Sequence, residues 1–254
     1  MNSKIIIKEN KLEVKEDNQI KITDNQIIFK ENGDYVIEYI DSSNIHLEIN
    51  IPDEKTIKLF IFSKNNKLKV NNHYTIGTKS ILTLFQFYDN LEVNELTKID
   101  LNGEYSKYYQ GFSSISRDST EYHIIVNHNK KYVQSEIKNK CIGLDGCTIN
   151  IQIDSMLEKG NTDCIMDQNS RILTLGDVQA KIIPNMFIEE DSVEARHGSI
   201  IGSFDEEEVF YLMSRGISRE EAILLLIKGF LFSNIKVDLE KREYMMNSIL
   251  NLRR

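Results

Sequence analysis

The chain is poor in cysteine. Its 254 residues hold three, Cys141, Cys147 and Cys164, an odd number with no C-x-x-C pair. That argues against a disulfide framework and gives no zinc-type spacing, which fits a reducing cytoplasmic setting. No apolar run approaches the roughly 18 residues a membrane helix needs. The first eight residues are short, mixed and followed by charged positions, so no signal peptide is expected. Cations are in deficit, 31 Lys and Arg against 39 Asp and Glu, and the formal net charge is -8. Such a balance argues against a general nucleic-acid or anionic-membrane surface. There is no G-x-x-x-x-G-K-[ST] loop for nucleotide, because Gly198 to Gly202 lacks the lysine and the spacing. No nucleophile–base pair and no paired catalytic carboxylates stand out, so the chain reads as non-enzymatic.

What is present, over the first two thirds, is period two. Ile45, Leu47, Ile49 and Ile51 alternate with His46, Glu48 and Asn50, and Ile57, Leu59 and Ile61 with Lys58, Phe60 and Phe62. Leu68 and Val70, then Leu82, Leu84 and Tyr88, and later Ile149, Ile151 and Ile153, continue the pattern. Alternation rich in β-branched residues predicts half-buried strands. Turn signals punctuate it at Asn32-Gly33-Asp34, Lys64-Asn65-Asn66, Asn71-Asn72, Asn102-Gly103, Asp145-Gly146, Gly160-Asn161 and Leu175-Gly176-Asp177. No long helical pattern intervenes before about residue 204. Many short strands without helices leave a sandwich, a barrel or a β-solenoid, and no exact repeat chooses among them.

The last quarter changes character. Ser203 and Glu206 read as a capping box, with Asp205 to Glu208 placing negative charge in the first turn of a helix. Val209, Phe210, Leu212 and Met213 follow, and Gly216 suits the left-handed position that ends it. Ser218 and Glu221 read as a second capping box before the apolar stretch Ala222 to Phe230. A final helix is expected over Asp238 to Leu252, with Asp238 as N-cap, a stripe of Leu239, Tyr244, Met245, Ile249 and Leu252, and Arg253-Arg254 at its end. A hairpin of two such short helices carries more apolar surface than it can bury alone.

This segment resembles the C-terminal signature of the SufB/SufD proteins, the scaffold subunits of the SUF iron–sulfur cluster assembly system. Asp205, Phe210, Tyr211, Leu212, Ser214, Arg215, Gly216, Ile217, Glu221, Ala222, Ile227 and Phe230 stand in the places of D-[DE]-x-x-[ILV]-F-Y-L-x-[ST]-R-G-[IL]-x-x-x-[DE]-A-x-x-x-[IL]-[IV]-x-x-F. Upstream the match thins. His128, Gly146, Thr162-Asp163, Asn169, Leu173, Ala180, Pro184, Met186, Ile188, Val193 and His197-Gly198 occupy family positions, so the resemblance covers roughly residues 120 to 232. It implies a right-handed parallel β-helix, an irregular β-solenoid, over residues 1–203, and a C-terminal α-helical domain over 204–254. The helical N-terminal domain of longer members finds no counterpart in the sequence.

The resemblance also implies which member this is. SufB-type chains carry a cysteine and a glutamate for nascent-cluster chemistry; those places fall on Asn169 and Gly198 here, while the histidine is kept as His197. The chain is therefore expected to be SufD-like, with His197 as the metal residue handling iron or a transient cluster at a subunit interface, and no permanently bound cofactor. Cys164 is a second candidate. It lies five residues before the cysteine place, an odd offset that points to the opposite strand face unless a turn shifts. His46, His73, His123 and His128, with Cys141 and Cys147, are read as structural. The implied partners are a SufC-type ABC ATPase, docked on Phe210, Tyr211, Arg215, Ile223, Leu226 and Phe230, and a SufB-type scaffold, or a second copy in a homodimer. A β-solenoid docking module without iron chemistry is the other reading.

Overall fold

A computed structural model describes residues 3–13, 19–64, 67–234 and 239–250. Its strands are β1 (Ser3–Lys8), β2 (Lys11–Glu13), β3 (Ile20–Thr23), β4 (Gln26–Phe29), β5 (Gly33–Ile40), β6 (Asn44–Ile51), β7 (Thr56–Ser63), β8 (Lys67–Ile76), β9 (Ile81–Leu101), β10 (Lys107–His128), β11 (Gln134–Leu144), β12 (Thr148–Leu157), β13 (Cys164–Leu175), β14 (Gln179–Ile188) and β15 (Val193–Gly202). Three helices follow, α1 (Glu206–Ser214), α2 (Arg219–Phe232) and α3 (Leu239–Leu250).

The strands form two parallel ladders. One runs β1, β5, β7, the first half of β9, the first half of β10, β11, β13, β15. The other runs β4, β6, β8, the second halves of β9 and β10, β12, β14. Each turn of the chain gives one strand to each ladder, which makes a parallel β-helix of about 6 turns, the solenoid expected from the sequence. A single register column shows the winding: Tyr35, Leu59, Leu84, Gln110, Ile137, Gln168 and His197 stand one above another. Successive members are 24, 25, 26, 27, 31 and 29 residues apart. A lengthening turn has no fixed period, which is why no repeat is visible in the sequence.

Inward side chains fill the lumen with Ile, Leu and Val, and with a stack of buried tyrosines, Tyr39, Tyr74, Tyr88, Tyr108 and Tyr122. The polar centre of that stack is Glu95. Its Oε1 accepts from Gln86 Nε2 at 2.8 Å and Thr97 Oγ1 at 2.5 Å, and burial holds its carboxyl above the ordinary range.

The strict in-and-out alternation fails in several strands. In β7, Phe60, Ile61, Phe62 and Ser63 are all buried. Phe60, Phe62, Phe87, Ile115, Ile142 and Leu173 form an apolar stripe on the outer face of the first ladder, and Leu224, Ile227, Phe230, Leu231, Met245 and Ile249 of α2 and α3 cover it. Tyr244 packs edge-on against Phe62, ring centroids 5.3 Å apart. Asn234 pins the seam, its Nδ2 donating to the carbonyls of Phe112 at 2.8 Å and Lys138 at 2.7 Å. The surplus apolar surface of the hairpin is thus partly spent on the chain's own solenoid.

The helix boundaries need one correction. Asp205, not Ser203, caps α1, its Oδ1 accepting from Glu207 N–H at 2.9 Å. A helix beginning at Glu206 leaves Ser203 two residues too early to reach a free amide. The second capping box is as read: Ser218 and Glu221 bond reciprocally, and Gly216 has φ +87°. The turn at Asn65-Asn66, the N-cap Asp238, and Leu252 with Arg253-Arg254 lie outside the described residues, as does the Leu239 side chain.

Candidate functional site

The two ladders stop at β14 and β15. β14 pairs with β12 alone and β15 with β13 alone among the described strands, so both present an unpaired edge. On β15, Val193, Ala195, His197, Ser199 and Ile201 continue the inward columns of Cys164, Met166, Gln168, Ser170 and Ile172. In β13 these columns are buried; one strand later they are open, apart from half-buried Val193. His197 therefore stands at the mouth of the lumen, exposed and without a hydrogen-bond partner among the described residues. Directly below it, Gln168 donates to Ser155 Oγ at 2.7 Å and the Asn185 carbonyl at 3.1 Å, while its buried Oε1 has no partner. Large apolar side chains surround this end: Phe187 is 53% exposed, Ile200 57% and Ile201 47%.

Asn169 and Gly198 are register partners, and a Cβ built on Gly198 would lie 3.5 Å from Asn169 Nδ2. The two places that the resemblance assigns to a cysteine and a glutamate are thus side by side, on the outer face of the first ladder. Here they hold an amide and no side chain, so neither a thiolate nor a carboxylate stands there. His197 faces the other way from Gly198, as adjacent strand residues must.

Cys164 lies on the opposite strand face from Asn169. The register of β13 runs unbroken from Ile165 to Leu175, so no shifted turn corrects the odd offset. Its Sγ is buried, with weak contacts to the carbonyls of Asn161 at 3.3 Å and Lys130 at 3.4 Å, and burial pushes the thiol up. Cys141 is pushed up to about 12, and Cys147 also rises by burial. Burial therefore works against the thiolate form at all three sites. Among the described residues no group of three or more His, Cys, Asp or Glu could hold a metal ion.

The remaining histidines are held by the scaffold. His73 bridges Glu48 at 2.9 Å and Asp100 at 2.7 Å, and His123 bonds Asp154 at 2.7 Å. Sequence reading missed these carboxylate partners, because they lie 25 to 31 residues away, one turn along the solenoid. His128 is buried between the Met156 carbonyl at 3.1 Å and Ser135 Oγ at 2.9 Å. A carbonyl only accepts, so Nδ1 carries the proton and Nε2 accepts from the serine. Burial pushes its pKa from 6.5 down to about 4. The unfolded chain binds that proton first, so this group's stabilisation is complete above about pH 6.5 and is lost as the pH falls towards 4. The cost over that window is about 3 kcal/mol. Urea midpoints between pH 7 and 4 should drop more steeply for the wild type than for His128→Asn.

On the C-terminal helices, α1 and α2 present a second surface. Phe210 is 72% exposed and Tyr211 57%. Arg215 stacks over the Tyr211 ring at 5.2 Å. Ile223 and Leu226 are half-buried, and Leu226 joins Asp205, Glu207, Glu208, Tyr211 and Leu212 around a shallow groove of about 380 Å3. Phe230 is placed differently. Only 9% exposed, it packs into the helix–solenoid core. Its position in the apolar run resembled that of the docking residues, but the run faces both ways and Phe230 lies on the inner side.

No helix among the described residues is long and apolar enough to cross a membrane. Compared with known proteins, residues 12–230 match the family model described as SUF system FeS cluster assembly, SufBD core domain. A protein named for iron–sulfur cluster assembly and the SufBD family, from Mycobacterium leprae, is 46% identical over 74 residues, 29% of this chain and 19% of the relative. The iron–sulfur cluster assembly protein SufD of Bacillus subtilis is 41% identical over 76 residues, 30% of this chain and 17% of the relative. SufD of Escherichia coli is 32% identical over 108 residues, 41% of this chain and 25% of the relative. The matches thus span a quarter or less of these relatives' length.

Proposed function

The chain belongs to the SufB/SufD family, and from that premise we propose that it is a SufD-like, non-catalytic scaffold subunit of iron–sulfur cluster assembly. It pairs with a SufB-type scaffold through the open end of its β-helix and holds a SufC-type ABC ATPase on its C-terminal helices. The observation that carries the pairing is the pair of unpaired edges, β14 and β15, rimmed by Phe187, Ile200 and Ile201. An open parallel edge with a large apolar rim is avoided in a protein that stays alone. His197 stands inside that rim. A lone imidazole supplies one ligand, so iron or a nascent cluster is cargo there only when a second chain adds thiolate or carboxylate ligands. With Asn169 and Gly198 in place of a thiolate and a carboxylate, a homodimer acting as sole scaffold is poorly served, which favours a distinct partner.

Ile200→Asp combined with Ile201→Asp tests the pairing. The double variant should keep its circular dichroism and weaken scaffold pairing at least about 100-fold, as loss of central apolar anchors does. Unchanged pairing by analytical ultracentrifugation would move the interface elsewhere.

A further inference from the structure

Beyond that role, we propose that Lys140 and Arg171 form a binding site for a single oxyanion of the phosphate type, at the seam between the solenoid and α2. The two residues are register partners on β11 and β13, on the outer face of the first ladder. Neighbouring strands lie about 4.8 Å apart, so the two cationic side chains leave the sheet from adjacent backbone positions. Both stand over the Phe230 ring, Lys140 Nζ 5.0 Å and Arg171 Cζ 5.6 Å from its centroid. Other cations of this region have carboxylate partners: Lys138 with Glu136, and Arg196 with Asp167 and Glu194. Among the described residues, Lys140 and Arg171 have none. Lys140 has a single hydroxyl instead, Ser233 Oγ at 2.5 Å, and that hydroxyl gives its hydrogen to the Phe230 carbonyl. The Arg171 fork makes no hydrogen bond among the described residues. Burial and the adjacent Arg171 and Lys138 hold the Lys140 ammonium below its usual range.

Two sources of compensation are already present and neither is enough. The C-terminal turn of α2 ends at Phe232 and contributes about half a negative charge. A phenyl face attracts a cation by about 0.5–1 kcal/mol at exposed sites, and here two cations draw on one ring. An oxyanion bridging the pair removes their repulsion. The arginine supplies two parallel donors, the lysine a point charge, and the ring closes one side. Phosphate and phosphate monoesters have the oxygens to use all three donors.

Thermal unfolding of the full chain in phosphate and in chloride, at matched low ionic strength and pH 7, tests this. A saturable rise of about 3–6 °C is expected at tenfold the Kd. It should vanish in Lys140→Gln and in Arg171→Gln and persist in Lys138→Gln, which separates site binding from a general salt effect. An equal rise with AMP assigns the site to the phosphoryl group itself; a larger one assigns it to a phosphorylated metabolite. Phosphate and chloride acting alike, or a phosphate shift that survives Arg171→Gln, overturns the proposal. The readout needs neither scaffold partner nor ATPase.

Discussion

Gly103→Ala should cost more than about 4 kcal/mol, the range reserved for severe packing faults, and leave little folded chain at 37 °C. A Cβ at this position would lie 2.0 Å from Thr78 N, 2.2 Å from Gly77 C and 2.3 Å from Thr78 Cα. All three are backbone atoms of the turn beneath, so no side chain can swing away. The turns cannot separate either, because Asn102 N–H to the Ile76 carbonyl at 3.0 Å and Lys79 N–H to the Glu104 carbonyl at 2.9 Å clamp this corner. Gly146 and Gly229 give the contrast. Gly146 has open space around it but φ +81°, so Ala there should cost about 1–2 kcal/mol from backbone strain alone. Gly229 lies in α2 with nothing within 4 Å, and Ala should stabilise by up to about 1 kcal/mol. Urea unfolding of the three variants checks the order. A Gly103→Ala protein within about 1 kcal/mol of wild type would mean that the corner is far looser than its geometry.

Phe210→Ala should remove the ATPase from the complex without touching the fold. The ring is 72% exposed, so its truncation changes stability by no more than about 0.5 kcal/mol. In a partner's pocket the same ring is an anchor worth about 2–4 kcal/mol, which is a roughly 30- to 1000-fold loss of affinity. Tyr211→Ala should act in the same direction. Phe230→Ala should do the reverse, costing about 3–5 kcal/mol of stability because it opens a cavity between α2 and the solenoid. The acidic rim of the neighbouring groove, Asp205, Glu207 and Glu208, points to a basic complement on the ATPase and to weaker binding as salt rises. Calorimetric titration of the ATPase into each variant separates the two classes.

The fold was legible in the sequence where local physics sets it. Alternation in β6 and β12 gave strands, and Ser218 with Glu221 and Gly216 gave the ends of helices. The winding was not legible, because a step that grows from 24 to 31 residues leaves no period to detect. Nor was the covered outer face: Phe60 and Phe62 look like exposed positions of an alternating strand until α2 and α3 are laid over them. At the candidate site, parity correctly set Cys164 opposite Asn169. Parity could not reveal that His197 stands at an open mouth, since exposure there depends on β15 being the last of the described strands in its ladder. Phe230 failed for the converse reason. The buried side of α2, Leu224, Ile227 and Leu231, takes in Phe230, while Leu225 on the same apolar run is exposed.

The most direct test of the scaffold assignment is the light-scattering mass of this chain mixed with its organism's SufC-type ATPase and SufB-type scaffold. One ternary species is predicted, which sheds its ATPase copy with Phe210→Ala and its scaffold partner with the Ile200→Asp, Ile201→Asp pair. A chain that elutes alone at micromolar concentration beside both proteins would contradict the assignment.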